Sequence, residues 1–350
     1  MNGPGDVQPQ GLLVFVWGGI GNMAMSLPML RALRSGLPQA RISLAVQSAA
    51  MSELVDVKEF HAVIALSNNK YRMPFGLAAL ARDLWKTKAD VALSSVPWPD
   101  IRCRLLARLS GARQVHFLPG GRAALRRNYA QERRHNIDLN LEIAALALVG
   151  PARGDTGIAP GIADDGYAKE IIDQFTINKY QYIAGLHPGA GDARKRFGEA
   201  LFIELGRRLA GAGHAVVVLG GAREQELRQR VAAGIGPGAL ATPPGASLRQ
   251  TLGVIKACRL VIANDSGLAH CAAGLGVPTV ALFGPTDEKI SGPQGRKVTI
   301  VTNCAHCRPC YFPAARYGCS NPDRPCLLLT ADEVIGQLDS DMKAFFVART

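Results

Sequence analysis

The segment Val261–Asp287 (V-I-A-N-D-S-G-L-A-H-C-A-A-G-L-G-V-P-T-V-A-L-F-G-P-T-D) gathers residue types that can hold and polarise an anion. Its apolar opening reads as a buried strand ending at Asn264, which leaves Asp265, Ser266 and Gly267 at the carboxyl edge. Ligands of open α/β sheets bind at that edge. Ser266 and Gly267 then open a helix, whose unpaired N–H groups and dipole favour a group such as a diphosphate. His270 stands four residues beyond Ser266 on the same helix face, so its imidazole can reach the same ligand. The competing reading is structural, with Asp265 as a helix cap and His270 as a satisfied core histidine. A second strand, ending in F-G-P-T-D, brings another loop to the same edge.

A different chemistry is available to C-A-H-C-R-P-C, which holds Cys304, Cys307 and Cys310 and is followed by Cys319 and Cys326. Three soft ligands in one tight loop, with two more within reach, suit tetrahedral zinc or an iron or iron–sulfur centre. His306 would join the ligands. Reduced cysteines without metal, or a disulfide, are the alternatives. Thiol catalysis is not expected, because no partnered base accompanies the cluster.

Two similar halves must position these groups. The first alternates apolar runs and helical stretches: Leu12–Trp17, Arg41–Val46, Ala62–Leu66, Val91–Ser94 and Gln114–Leu118 read as strands. After the Gly-rich turn Gly18–Gly21, a helix over Ser26–Leu33 is expected to begin near Pro28, where a first-turn proline is tolerated. The turn reads Gly19-Ile20-Gly21-Asn22, and without a third glycine in register it does not argue a nicotinamide cofactor. The aperiodic, Gly- and Pro-rich stretch from Pro151 to Asp165 reads as the start of a linker. Strands then recur at Tyr182–Leu186, Ala215–Leu219, Leu260–Ala263, Thr279–Phe283 and Val298–Thr302, and Thr330 with Glu333 forms a capping box for a last helix. The expected fold class is α/β, two Rossmann-like domains facing across a cleft. The expected boundaries are 1–155, a linker over 156–180, 181–330, and a C-terminal helix at 331–350 packing back on the first domain.

The net charge of +12 restricts the partners to those a basic surface attracts: polyanions, an anionic membrane leaflet or a phosphorylated substrate. Arginines crowd between Arg102 and Arg134, but few aromatics are interleaved and no nucleic-acid motif is present, so nucleic acid is not expected. A merely solvated basic face is the plain alternative. No apolar stretch is long enough for a spanning helix, and Leu12–Trp17 is no signal peptide, so a cytoplasmic protein is expected, with peripheral contact to the inner membrane face as an option.

The segment Asp265-Ser266-Gly267-Leu268-Ala269-His270 with A-L-F-G-P-T-D after it resembles the signature of the heptosyltransferases. G-G-I-G-N-M-A-M-S-L-P-M-L-R-A-L, H-P-G-A-G-D-A-R-K-R-F, V-V-V-L-G-G-A-R-E and C-L-L-L-T-A-D-E-V-I fall in that family's order along nearly the whole chain. The resemblance implies a GT-B architecture and an inverting glycosyl transfer that needs no cofactor. The donor would be a nucleotide-diphosphate sugar, ADP-heptose, and the acceptor an anionic or lipid-linked saccharide such as a lipopolysaccharide core. It further implies that His187, Pro188, Gly189 and Ala190 line the diphosphate loop. Lys195 would meet the phosphates as a compact point charge, with its neighbours Arg194 and Arg196 as rivals for the task. Glu224 would bind the ribose, or else be an exposed charge in a first helical turn. Gly19 and Gly21 would form the acceptor-side turn.

At the catalytic base the chain departs from the family, which carries Gly-Asp where this turn has Gly21-Asn22. An amide has no basic lone pair near neutral pH, so Asn22 can position an acceptor hydroxyl but not deprotonate it. Asp100 and His135 are the other base candidates in the first half. Two rival functions stand beside the transferase: a nucleotide-sugar-binding protein without turnover, and a metal-centred redox protein.

Overall fold

The apolar runs pair, all in parallel, into two sheets in a computed structural model that describes residues 9–71, 76–96, 101–148, 151–159, 161–175, 180–311, 319, 321 and 323–347. The chain divides into two units, Met1–Thr156 and Gly157–Thr350. In the first unit β1 (Gly11–Val16), β2 (Arg41–Val46), β3 (Ala62–Ala65), β4 (Val91–Ser94) and β5 (Gln114–His116) lie in the order β3-β2-β1-β4-β5. The order reverses between β1 and β4, whose register pairs Phe15 with Ser94. β1 is buried along its whole length, which explains its unbroken apolar sequence: helices cover both faces of a parallel sheet.

The second unit repeats the winding. β6 (Ile183–His187), β7 (Ala215–Val218), β8 (Ala239–Ala241), β9 (Leu260–Asn264), β10 (Thr279–Phe283) and β11 (Val298–Thr302) lie in the order β11-β10-β9-β6-β7-β8. Here the reversal falls between β6 and β9, so His187 and Asn264 end neighbouring strands at the switch point. Val261, Ile262, Ala263, Val280, Ala281 and Leu282 are fully buried, and each large aliphatic among them contributes about 1.5–3 kcal/mol relative to exposure. Such a core holds the strand ends, and hence the loops beyond them, in place. Among the described residues, no helix is long and apolar enough to cross a membrane.

Several expectations need correction. The first helix runs over Ile20–Gly36, so Pro28 lies inside it rather than in its first turn. The helix begins at the Gly-rich turn itself, with Gly19 as N-cap, and absorbs one lost backbone bond at the proline. The short strand β8 follows a glycine-rich stretch and carries too few apolar residues to stand out in the sequence. Part of the stretch 156–180 read as linker is a helix, Asp165–Ile172, capped by Asp164 through the Tyr167 N–H and burying Ala168 and Ile171. It lies so close to the helix Leu248–Ala257 that a Cβ on Gly253 would stand 2.0 Å from the Asp164 carbonyl oxygen. The stretch 331–350 forms two short helices, Ala331–Gly336 and Ser340–Lys343, rather than one. Their Ala331, Val334, Leu338 and Met342 enter the core of the second unit, not of the first.

Candidate functional site

At the switch point of the second sheet one buried amide ties both ends of the loop after β6 to the end of β9. Asn264, the last residue of β9, donates from Nδ2 to the Pro188 carbonyl at 2.7 Å and accepts the Phe197 N–H on Oδ1 at 3.2 Å. This fixes the H-P-G-A-G-D loop against the end of β9. Ser266 is the N-cap of the helix Gly267–Gly274, yet its hydroxyl makes no capping bond. It meets His187 Nδ1 instead, at 2.9 Å, and His187 Nε2 meets Glu224 Oε2 at 3.3 Å. The side chains of Ser266, His187 and Glu224 thus form a buried chain from the helix start to the Gly220-Gly221 turn, and His270 is buried on the same helix.

Asp265 does not cap the helix. Its Oδ2 accepts from the Thr286 hydroxyl at 2.6 Å and pairs with Lys195 Nζ at 2.8 Å. The three consecutive cations therefore have separate tasks. Arg194 forks onto Asp192 and holds that carboxyl well below the usual range. Arg196 donates from Nε to the Ala190 carbonyl at 3.1 Å and braces the loop from behind. Lys195 alone of the three reaches Asp265, at the mouth of the helix N-terminus. Glu224 is no exposed helix charge: it accepts the Gly221 N–H at 2.9 Å, and its side chain is 15% exposed. Burial pushes its carboxyl up, but the bond and charge of His187, the Gly221 N–H and Arg196 outweigh this and hold it at about 2. Cations beside a helix N-terminus are an arrangement that suits the phosphates of a nucleotide.

In the first unit the turn at the end of β1 is shaped by Gly18, in the left-handed region at φ +90°. A Cβ there would lie 1.9 Å from Asn22 Nδ2, so the Asn22 amide rests directly on the glycine. Gly18 N–H donates to Gln47 Oε1 at 2.8 Å, and the Trp17 indole to the Ser94 hydroxyl at 3.2 Å. Gly19 and Gly21, at the N-cap and in the first turn of the helix, thus adjoin the switch point of the first sheet. Of the two base candidates, His135 is buried and accepts the Ile137 N–H on Nδ1 as cap of the helix Asn136–Ala145, a structural task. Asp100 lies outside the described residues.

The cysteines Cys304, Cys307, Cys310, Cys319 and Cys326 are free thiols. Burial pushes the Cys326 thiol up, and the nearby Cys307, Cys310 and Cys319 add to this. Among the described residues, however, no three Cys, His, Asp or Glu side chains form a group that could hold a metal ion. The described thiols of the expected ligand set are therefore not gathered into one such group.

Residues 108–319 match the model for glycosyltransferase family 9 (heptosyltransferase). The chain belongs to this family. It is 35% identical over 192 residues to lipopolysaccharide heptosyltransferase 1 of Pseudomonas aeruginosa, a match that covers 55% of this chain and 51% of the relative. The chain thus spans about half the length of the curated relatives it matches. The solved structure of Escherichia coli ADP-heptose lps heptosyltransferase II shares the GT-B fold at a TM-score of 0.70, with 21% identity, 96% of this chain and 98% of that one covered. The iron-containing dodecameric glycosyltransferase TibC of E. coli H10407 is a more distant fold relative: TM-score 0.59, 13% identity, 97% of this chain and 77% of that one.

Sequence reasoning gave no site role to three residues that hold these loops together. Asn264 was read only as the end of the strand before Asp265, while its amide's partners lie on another loop. Thr286 was named within F-G-P-T-D but given no task, and its partner Asp265 lies a full strand away. Arg308, which donates to the Gly284 carbonyl at 2.9 Å and pairs with Glu288, drew no reading of its own from the sequence.

Proposed function

We propose that this protein is an inverting glycosyltransferase that moves heptose from ADP-heptose to an anionic or lipid-linked saccharide of the lipopolysaccharide-core type. The observation that carries the reading is the placing of Lys195 on Asp265 at the N-terminus of the Gly267–Gly274 helix, at the switch point of a doubly wound sheet. The donor diphosphate would lie against the helix N–H groups and share the Lys195 ammonium. As the glycosidic bond breaks, negative charge grows on the leaving diphosphate, and these fixed positive groups stabilise it without a metal ion. Attack comes in line from the opposite face of the anomeric carbon, which inverts it. Glu224 would take a ribose hydroxyl on Oε1, its Oε2 being engaged by Gly221 and His187. Asn22 would position the acceptor hydroxyl, and the base is a residue other than Asn22 or His135.

The test is turnover of ADP-heptose with a lipopolysaccharide-core saccharide, followed by ADP release and acceptor mass. One ADP per heptose gained, with inverted anomeric configuration, supports the reading. Tight donor binding with no turnover on a panel of core acceptors sinks it in favour of a binding protein.

Two finer readings go with this one. The exposed Arg104, Arg108, Arg113, Arg122 and Arg126, with Leu105, Leu109 and Trp85 exposed on the same unit, support a peripheral contact with an anionic membrane face in the cytoplasm. A structural zinc or iron rests on the spacing of Cys304, Cys307 and Cys310. Elemental analysis of purified protein decides it: about one metal per chain supports the site, and none ends it.

A further inference from the structure

Lys195 has a second partner besides Asp265. Its ammonium lies 4.8 Å from the centroid of the Tyr311 ring, and the Arg194 guanidinium lies over the same ring at 5.1 Å. Tyr311 is contributed by the cysteine-rich stretch, directly after Cys310. Its hydroxyl donates to Asp192 Oδ2 at 3.1 Å. Asp192 in turn accepts the Arg194 N–H at 3.0 Å and so caps the turn Ala193–Lys195 that carries the lysine. The backbone behind the ring is anchored as well. The N–H groups of Cys310 and Tyr311 both donate to the Pro285 carbonyl, at 2.8 and 2.9 Å, and Arg308 holds Gly284 and Thr286 in the same loop.

A lysine on a four-carbon stem is rich in rotamers, and a ligand site must overcome that freedom each time it binds. A carboxylate partner orders the ammonium but uses its N–H donors, the same donors a phosphate needs. An aromatic face orders it by attraction to the ring quadrupole and leaves the donors available. The Tyr311 ring is placed for that task, and its hydroxyl is placed to hold the turn beneath.

We propose that Tyr311 is a positioning residue of the donor site, orienting Lys195 through its ring and the Ala193–Lys195 turn through its hydroxyl. The inference rests on the reading of Lys195 as a diphosphate contact. It makes the cysteine-rich stretch part of the nucleotide site, whether or not its thiols take a metal.

Calorimetry with ADP, inorganic pyrophosphate and adenosine tests it on the wild-type chain, Tyr311→Leu, Tyr311→Gln, Tyr311→Phe, Lys195→Ala and the Lys195→Ala/Tyr311→Leu double variant. Two ring-less variants are included so that the result does not hang on the folding of one. Loss of the ring is expected to weaken ADP and pyrophosphate about tenfold, the equivalent of 1.4 kcal/mol, and to leave adenosine unchanged. Tyr311→Phe keeps the ring and is expected to stay within about threefold of wild type. In the Lys195→Ala background, removing the ring should change nothing further. A ring-less variant that binds ADP like wild type overturns the proposal, as does an equal loss of ADP and adenosine, or an additive loss on top of Lys195→Ala. A wild type that binds neither ADP nor pyrophosphate overturns the donor reading itself, and the proposal with it.

Discussion

Lys195 and Asp265 form an ion pair at the mouth of a helix, the carboxylate buried and the ammonium partly exposed. On the proposed role of Lys195, Lys195→Ala removes transition-state charge stabilisation, for which a loss of about 10²–10³ in kcat is the expected size. Steady-state kinetics with saturating donor measure it, and a loss seen in KM alone would place the lysine in ground-state binding instead. Asn22 predicts the contrasting outcome. With the proposed role of a positioning amide, its replacement by alanine should cost less than about tenfold in rate and leave the shape of the pH–rate profile unchanged. A profile that loses its basic limb would show that Asn22 governs the proton after all. Asp265, Ser266 and His270 were legible because they stand in one short run whose strand and helix periods are strong, whereas Lys195 was singled out only by the family resemblance. Asn264, Thr286 and Tyr311 were not, since their meaning lies in partners on other loops: Pro188 and Phe197, Asp265, and Asp192 with Lys195. Nothing in the local sequence distinguishes a tyrosine that carries a lysine from one that fills a surface.

The strands carry the site because parallel winding brings the loop after each strand to one edge, and that much follows from the alternating apolar runs. What the runs do not convey is how close the loops stand. Gly189 illustrates it: a Cβ there would lie 2.0 Å from Glu224 Oε1, so a side chain at this position would have to push the Glu224 carboxylate out of its place. That carboxylate also links the site to pH. Its folded value of about 2 lies below its ordinary 4.5, so its contribution to stability is complete above about pH 4.5 and is lost as pH falls toward 2. Denaturant midpoints measured across that window should fall less steeply for Glu224→Gln than for wild type. Parallel curves would mean the carboxylate is paired equally well in the unfolded chain. The helix Asp165–Ile172 was read as linker because only Ala168 and Ile171 mark its buried face, too few apolar positions to show a period. Its packing is nonetheless tight at Gly253. Gly253→Ala should destabilise the second unit by about 1–3 kcal/mol, seen as a lower thermal midpoint, because the neighbour it meets is backbone and cannot rotate away.

Over the whole molecule, a net charge of +12 favours anionic ligands at long range. The exposed arginines of the first unit should bind vesicles containing phosphatidylglycerol at low salt and release them at about 0.5 M, where the screening length is only a few ångströms. Equal binding to neutral vesicles would point to the exposed leucines and Trp85 instead. The two-sheet architecture was legible in the sequence because apolar runs and Gly-rich turns recur in the same order in both halves. The fate of residues 331–350 was not, since a capping box announces that a helix begins but not which core it joins. The central claim, a nucleotide-sugar donor held by the second unit, is tested most directly by calorimetry with ADP, GDP, UDP and their heptose and hexose conjugates, on wild type and Asp265→Ala. Micromolar binding of one nucleotide and its sugar conjugate, lost in the variant, is the predicted result. Binding of none of them, or binding that Asp265→Ala leaves intact, would contradict it.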